Sequence, residues 1–273
     1  MAADSIRKKI EGRNHPLVKA VRRMARSGEL AADGLVLLET VRMIEDAQAN
    51  GVRIEQVLVS AAAGNRVGSL LAKLDPATRV YEVSAKVFET LATTESSQGI
   101  LALAAEPRWE EVDLFPRGRP PLIVVLAGLQ DPGNLGTILR AADAIGATGA
   151  VLTHGTVSPY NGKAIRATAG ALFRVPMLRG VSVAQAVELL RGKRVKIFTS
   201  VVAGGVCLPQ ADLAGPLAVV FGSEGAGAPE KFRAAGEAVT IPMSERAESL
   251  NVAAASAVIL YEIARQRSLS RER

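Results

Sequence analysis

Two α/β domains joined by a short linker are what this sequence predicts, and three observations predict it. Short apolar runs alternate with amphipathic stretches along most of the 273 residues, the pattern of sheets covered by helices. The composition is 48% hydrophobic but only 4% aromatic, so a sizeable core must be built mainly from Ala, Val, Leu and Ile. Between residues 107 and 119 the alternation breaks, where Pro107, Pro116 and Gly118 interrupt charged residues, as in a linker. The expected boundaries are 1–106 for a smaller N-terminal α/β domain, 107–119 for the linker and 120–273 for the second domain.

Pro16 to Arg26 reads as a helix, with Leu17, Val21, Met24 and Ala25 on one side and Lys19, Arg22, Arg23 and Arg26 on the other. Strands follow at 35–38, 57–60, 80–83 and 100–104, alternating with helices at 41–49, 67–74 and 85–91. Trp109, the single tryptophan, is expected to pack against a domain rather than stack on a ligand. In the second half, Leu122–Ala127 has the unbroken apolar character of a strand buried on both faces. Strands are expected near 150–153, 175–178, 195–199, 217–221 and 239–241. Helices are expected at 135–145, 163–169, 183–190, 229–235 and 251–266.

Composition also excludes several classes. Cys207 is the only cysteine and His15 and His154 are the only histidines, so no zinc-type spacing exists and no metal is expected. No signal-peptide pattern opens the chain and no apolar run is long enough to span a bilayer; a cytoplasmic protein without a membrane partner is the expectation. The net charge is +6, and most of it sits in residues 1–30. There Arg7, Lys8, Lys9, Arg13, Lys19, Arg22, Arg23 and Arg26 outnumber Asp4, Glu11 and Glu29. Clustered cations of this kind attract a phosphate backbone by counterion release.

Three loops at expected strand ends are rich in Gly, Pro and polar residues, where ligands of parallel sheets bind. The first runs from Gly128 to Arg140; Asn134 is placed to cap the following helix, with Arg140 further along it. The second, Phe221 to Glu230, carries Gly222, Gly225 and Gly227 around Glu224, so that backbone groups can approach a ligand closely. It fits neither the dinucleotide fingerprint nor a Walker A loop. The third runs from Ile241 to Ala253; Ser249 or Asn251 is expected to cap a last helix that opens on small residues.

Taken in order, the three loops resemble the signature motifs of SpoU-type RNA ribose 2′-O-methyltransferases of the SPOUT superfamily. Asn134 to Arg140 matches N-x-G-x-x-x-R, Gly222 to Gly227 matches G-x-E-G-x-G, and Ile241-Pro242-Met243 with Ser249-Leu250-Asn251-Val252 matches the third. Arg13-Asn14-His15-Pro16 and Ser97-Gln98-Gly99-Ile100-Leu101-Ala102 resemble that family's substrate-recruiting domain, itself similar to an RNA-binding ribosomal protein. Thr40, where glycine is frequent, and Ser223, where Asn or Ala is usual, depart from the pattern.

The resemblance implies a C-terminal SPOUT α/β domain with a deep trefoil knot, S-adenosylmethionine as cofactor, and a homodimer with its active site near the subunit interface. It assigns catalysis to Arg140, Asn134, Glu224, Ser249 and Asn251. It gives cofactor contacts to Gly222, Ile241 and Leu250, with Thr199, Val201, Met243 and Ala253 as further candidates. RNA contacts fall to Arg13, Asn14, Lys19, Arg22, Arg23 and Arg26. Ribosomal RNA, 23S in particular, is favoured as substrate over transfer RNA. A non-catalytic RNA-binding assembly factor is the alternative from another class, and the presence of both Asn134 and Arg140 argues against it. An ordinary Rossmann enzyme is disfavoured by the missing glycine fingerprint.

Overall fold

The computed structural model describes residues 8–92, 97–244 and 246–271. Asp4 and Arg7 of the charge cluster and Glu245 of the third loop lie outside them. The chain forms two compact units. The first comprises the described residues up to Arg108 together with residues 158–173; the second comprises 109–157 and 174 onward.

The first unit holds β1 (Lys8–Ile10), α1 (Pro16–Ser27), β2 (Leu35–Leu38), α2 (Val41–Ala49), β3 (Ile54–Ser60), α3 (Asn65–Leu71), β4 (Arg79–Val83), α4 (Ala85–Phe88) and β5 (Ile100–Ala105). Its sheet has the order β1-β4-β3-β5-β2; β5 is antiparallel to β3 and β2, while β1, β4 and β3 run parallel. The helix α1 starts as its sequence dictates. Pro16 takes the first helical position, where a missing N–H costs nothing, and the His15 ring accepts a hydrogen bond from Leu17 N. Gly28 ends it in the left-handed conformation, donating to Met24 O. Val18, Val21 and Met24 are buried, so the basic residues face outward. Thr40 caps α2, its hydroxyl accepting from Met43 N at 3.2 Å, which gives that departure from the family pattern a local reason.

The second unit contains β6 (Leu122–Ala127), α5 (Pro132–Ile145), β7 (Gly149–Thr153), β8 (Met177–Val181), α7 (Val183–Gly192), β9 (Lys196–Val201), β10 (Val206–Cys207), β11 (Leu217–Gly222), α8 (Glu230–Arg233), β12 (Glu237–Thr240) and α9 (Val252–Arg271). The intervening helix α6 (Gly162–Thr168) belongs to the first unit. The sheet order is β10-β12-β9-β11-β6-β7-β8, parallel throughout. Every residue of β6 and β7 is buried, as expected for strands covered on both faces.

Two sequence expectations about organisation are corrected. Residues 107–119 are not a free linker: Glu111–Leu114 forms a 3₁₀ turn with a capping box, and Leu114 is fully buried in the second unit's core. Leu114 packs so closely on Gly149 that a β-carbon there would overlap it. Residues 158–173, expected within the second domain, are held in the first. Arg166 pairs with the buried Glu39 at 3.5 Å, Tyr160 donates to Glu106 at 3.0 Å, and Asn161 fills the space beside Gly28.

Candidate active site

The carboxyl ends of β6, β11 and β12 lead into the loops that the sequence singled out. In the first loop the cap is Asp131 rather than Asn134: its carboxylate accepts from Asn134 N at 2.8 Å, and Pro132 occupies the first helical position. This correction matters for the chemistry. A capping Asn134 would spend its side chain on its own helix; here that side chain is free to point elsewhere. Its amide nitrogen donates to Glu224 Oε1 at 2.7 Å, and its oxygen accepts from Asn251 Nδ2 at 3.2 Å. Asn251 in turn caps α9, its oxygen accepting from Ala253 N at 2.9 Å. The three loops, far apart in sequence, are thus joined by one chain of hydrogen bonds through Glu224, Asn134 and Asn251. The carboxylate can only accept and the helix N–H can only donate, so both amides are locked in one orientation.

The second loop is a tight return. Ser223 and Gly227 exchange backbone hydrogen bonds, and Ser223 Oγ accepts from Ala226 N at 3.2 Å, so serine serves this turn. A β-carbon on Gly222 would overlap the backbone of Gly227 and Ala228; the glycine is required by the return of its own loop.

Around this return lies a cavity of about 420 Å³, lined by the end of β9 (Ser200, Val201, Val202), by residues 221–227 and by Ile241, Met243, Ser249, Leu250, Asn251, Val252 and Ala255. The volume falls within the roughly 300–1,000 Å³ of small-molecule sites, and the lining mixes apolar side chains with backbone and a few polar groups. Of the lining, Val202 and Leu250 are 57% and 41% exposed.

A family search places residues 121–261 in the SpoU rRNA methylase family and residues 15–102 with the MRM3-like substrate binding domain. The chain belongs to the SpoU rRNA methylase family. An uncharacterized tRNA/rRNA methyltransferase of Synechocystis sp. is 33% identical, over 94% of this chain and 93% of the relative. The 23S rRNA (guanosine(2553)-2′-O)-methyltransferase RlmP of Bacillus subtilis is 29% identical, over 94% and 99%. The AdoMet-bound rRNA methyltransferase of Sinorhizobium meliloti superposes with a TM-score of 0.82 at 28% identity, over 94% of this chain and 97% of that one.

Within this SpoU chain the expected site residues divide. Gly222, Ile241, Leu250, Val201 and Met243 line the cavity, as do Glu224, Ser249 and Asn251. Thr199 and Ala253 do not: both are buried, and the Thr199 hydroxyl has no partner among the described residues. Thr199 lies one residue deeper along β9 than Ser200, Val201 and Val202, the strand end that lines the cavity. Asn134 reaches the site through its hydrogen bonds, and Arg140 is exposed on α5 and does not line the cavity. Ser200, Val202, Val252 and Ala255 were missed as lining residues; the pattern "small or apolar at a strand end" is too common to mark them.

The candidate RNA residues lie on the other unit. Arg13, Asn14, Lys19, Arg23 and Arg26 are exposed. Arg22 is half-buried and donates to Thr90 Oγ1 at 3.0 Å, so part of its work is structural.

Proposed function

We propose that the chain is an S-adenosylmethionine-dependent methyltransferase acting on a ribose 2′-hydroxyl of ribosomal RNA, with 23S RNA as the favoured substrate. The observation that carries this is the hydrogen-bond chain Glu224–Asn134–Asn251 beside a cavity of cofactor size. The similarity of both units to a 23S ribose methyltransferase along nearly its full length supports the substrate class. The cavity fits the cofactor: Val201, Ile241 and Leu250 would offer apolar surface for a base, the glycine-rich return would offer backbone groups, and Glu224 would offer a carboxylate to a cationic group.

When bound, the cofactor supplies an activated methyl group, so the protein need only orient the partners and manage one proton. Transfer forms an O–CH₃ bond, breaks the S–CH₃ bond and releases the hydroxyl proton. Asn134, held between Glu224 and Asn251, orients the ribose or the catalytic arginine. A guanidinium offers only hydrogen-bond donors; the role of Arg140 is to stabilise the developing alkoxide, with a neighbouring RNA phosphate helping to take up the proton. Ser249 completes the polar rim of the cavity.

Two further elements belong to this proposal. The third loop and α9 close the cavity after β12, consistent with the trefoil knot of the family. A homodimer is supported by the outer face of α9, where Ala254, Ala257, Val258 and Tyr261 form an exposed apolar stripe at helical spacing.

The test is transfer of tritiated methyl groups to ribosomal and transfer RNA in parallel, followed by nucleoside mapping. A 2′-O-methylated nucleoside in 23S RNA is expected. Arg140→Ala is expected to abolish transfer while cofactor binding persists; retained transfer in that variant rules out the role given to Arg140.

A further inference from the structure

The first active-site loop is not self-supporting. Gly128 N donates to Thr156 Oγ1 at 3.0 Å, and the same hydroxyl donates to Leu126 O at 2.9 Å. Val157 N donates to Leu129 O at 2.8 Å, and Gln130 Nε2 donates to Gly155 O at 2.6 Å. Residues 155–157, which follow β7, therefore clasp the end of β6 and the loop that leads to Asp131 and Asn134. Thr156 is the centre of the clasp. It satisfies a backbone donor and a backbone acceptor two residues apart, at the point where Gly128 turns with φ +75°.

The chain then leaves the clasp at Val157, and the next residue already belongs to the first unit's fold. There Tyr160, 5% exposed, is bonded to Glu106, and Arg166 is paired with Glu39, 6% exposed. Ile165, Leu172 and Phe173 are buried as well. One continuous crossover, residues 154–173, thus ends as a brace on the Asn134 loop at one extremity and as a component of the unit carrying the basic helix α1 at the other.

We propose that Thr156 is a positioning residue for methyl transfer, and that the crossover makes the geometry of the Asn134 loop depend on how firmly the N-terminal unit holds residues 158–173. This rests on the methyltransferase reading above. Thr156 acts through the backbone of Leu126 and Gly128, and it touches neither the cavity lining nor the Glu224–Asn134–Asn251 chain.

The experiment uses the full-length enzyme with ribosomal RNA and S-adenosylmethionine. Thr156→Val keeps shape but loses both hydroxyl bonds. It is expected to lower kcat roughly tenfold to a hundredfold, the scale of small misplacements of a reacting group. RNA KM and the cofactor Kd should stay within about twofold. Thr156→Ser should restore kcat. In hydrogen-exchange measurements without substrate, the Gly128 amide should exchange faster in Thr156→Val and normally in Thr156→Ser. Tyr160→Phe, which removes a bond holding the crossover without altering the loop, should lower kcat in the same direction by a smaller factor. Unchanged kcat in Thr156→Val, or a loss carried by KM or cofactor Kd, or no recovery with serine, overturns the positioning role. Unchanged kcat in Tyr160→Phe overturns the dependence on the N-terminal unit. A wild-type enzyme that transfers no methyl group to any RNA refutes the underlying activity instead, and the exchange rates at Gly128 still decide the clasp.

Discussion

At the scale of single residues, the site depends on a few side chains whose freedom is removed by chemistry rather than by packing. Asn134 is the clearest case. Its position in a motif was legible in the sequence, but its role as a cap was misassigned, because the pair Asp131-Pro132 just ahead of it already supplies a cap and a first helical residue. That signal was present; it was outweighed by the usual preference of Asn for caps. Gly222 was legible as a close-approach glycine, but what approaches is Gly227 and Ala228 of the same loop. Gly222→Ala should therefore distort residues 223–227 before any ligand arrives. We expect a loss of about 1–3 kcal/mol from forced overpacking, visible as a lower thermal midpoint, together with weaker cofactor binding by calorimetry. A variant as stable as wild type that bound cofactor poorly would move the clash from the loop to the ligand. Thr199 and Ala253, expected near the cofactor, are buried beside residues that line the cavity; a motif match does not say how deep along a strand or helix a residue sits.

At the scale of elements, helices and strands of four residues or more were largely legible and the two shortest strands were not. The helices α1, α2, α5 and α9 and the strands β2, β6 and β11 fall within a few residues of expectation. The strands β1 and β10, of three and two residues, carry no periodicity and exist only because a neighbouring edge, β4 or β12, is there to pair with. The last helix runs past its expected end at Gln266 to Arg271, and its terminal part is held by tertiary bonds. Gln266 accepts from Leu213 N and donates to Ala211 O, while Arg267 donates to the carbonyls of Pro120, Pro121 and Gly215. Beneath them Glu262, 9% exposed, accepts two bonds from Arg265 and one from Gln266. The Arg265 bonds hold its carboxyl below the ordinary 4.5 despite its burial. A lowered folded-state value means stability present above pH 4.5 that is lost as the pH falls through it. Wild type should thus melt higher than Glu262→Gln at pH 7, and the gap should close on acidification. A gap independent of pH would show that the carboxylate's charge contributes nothing to this corner.

At the scale of the whole molecule, two units and the end of the first stretch near residue 107 were legible, while the return of residues 158–173 to the first unit was not. Pro and Gly content marks the boundary near 107, but nothing local marks Leu114 as part of the second core or residues 158–173 as part of the first unit. Contacts that distant in sequence leave no local trace. The apolar stripe on α9 leads to a prediction at this scale. Light scattering should give about twice the 28.6 kDa chain mass, and Tyr261→Glu, a charge placed in the stripe, should return the mass to that of one chain. A dimer indifferent to that change would put the interface elsewhere. The interleaving also has a temporal consequence. A nascent chain emerges N-terminus first, and domains generally fold in that order. Here the first unit lacks part of its structure when residue 108 leaves the ribosome, because residues 158–173, with Arg166 for Glu39 and Tyr160 for Glu106, have not yet been made. By the time they arrive, β6 and β7 of the second unit are already exposed and waiting for β9 and β11. Neither half can be finished and set aside before the other has begun, so the two should mature as a single late event during synthesis.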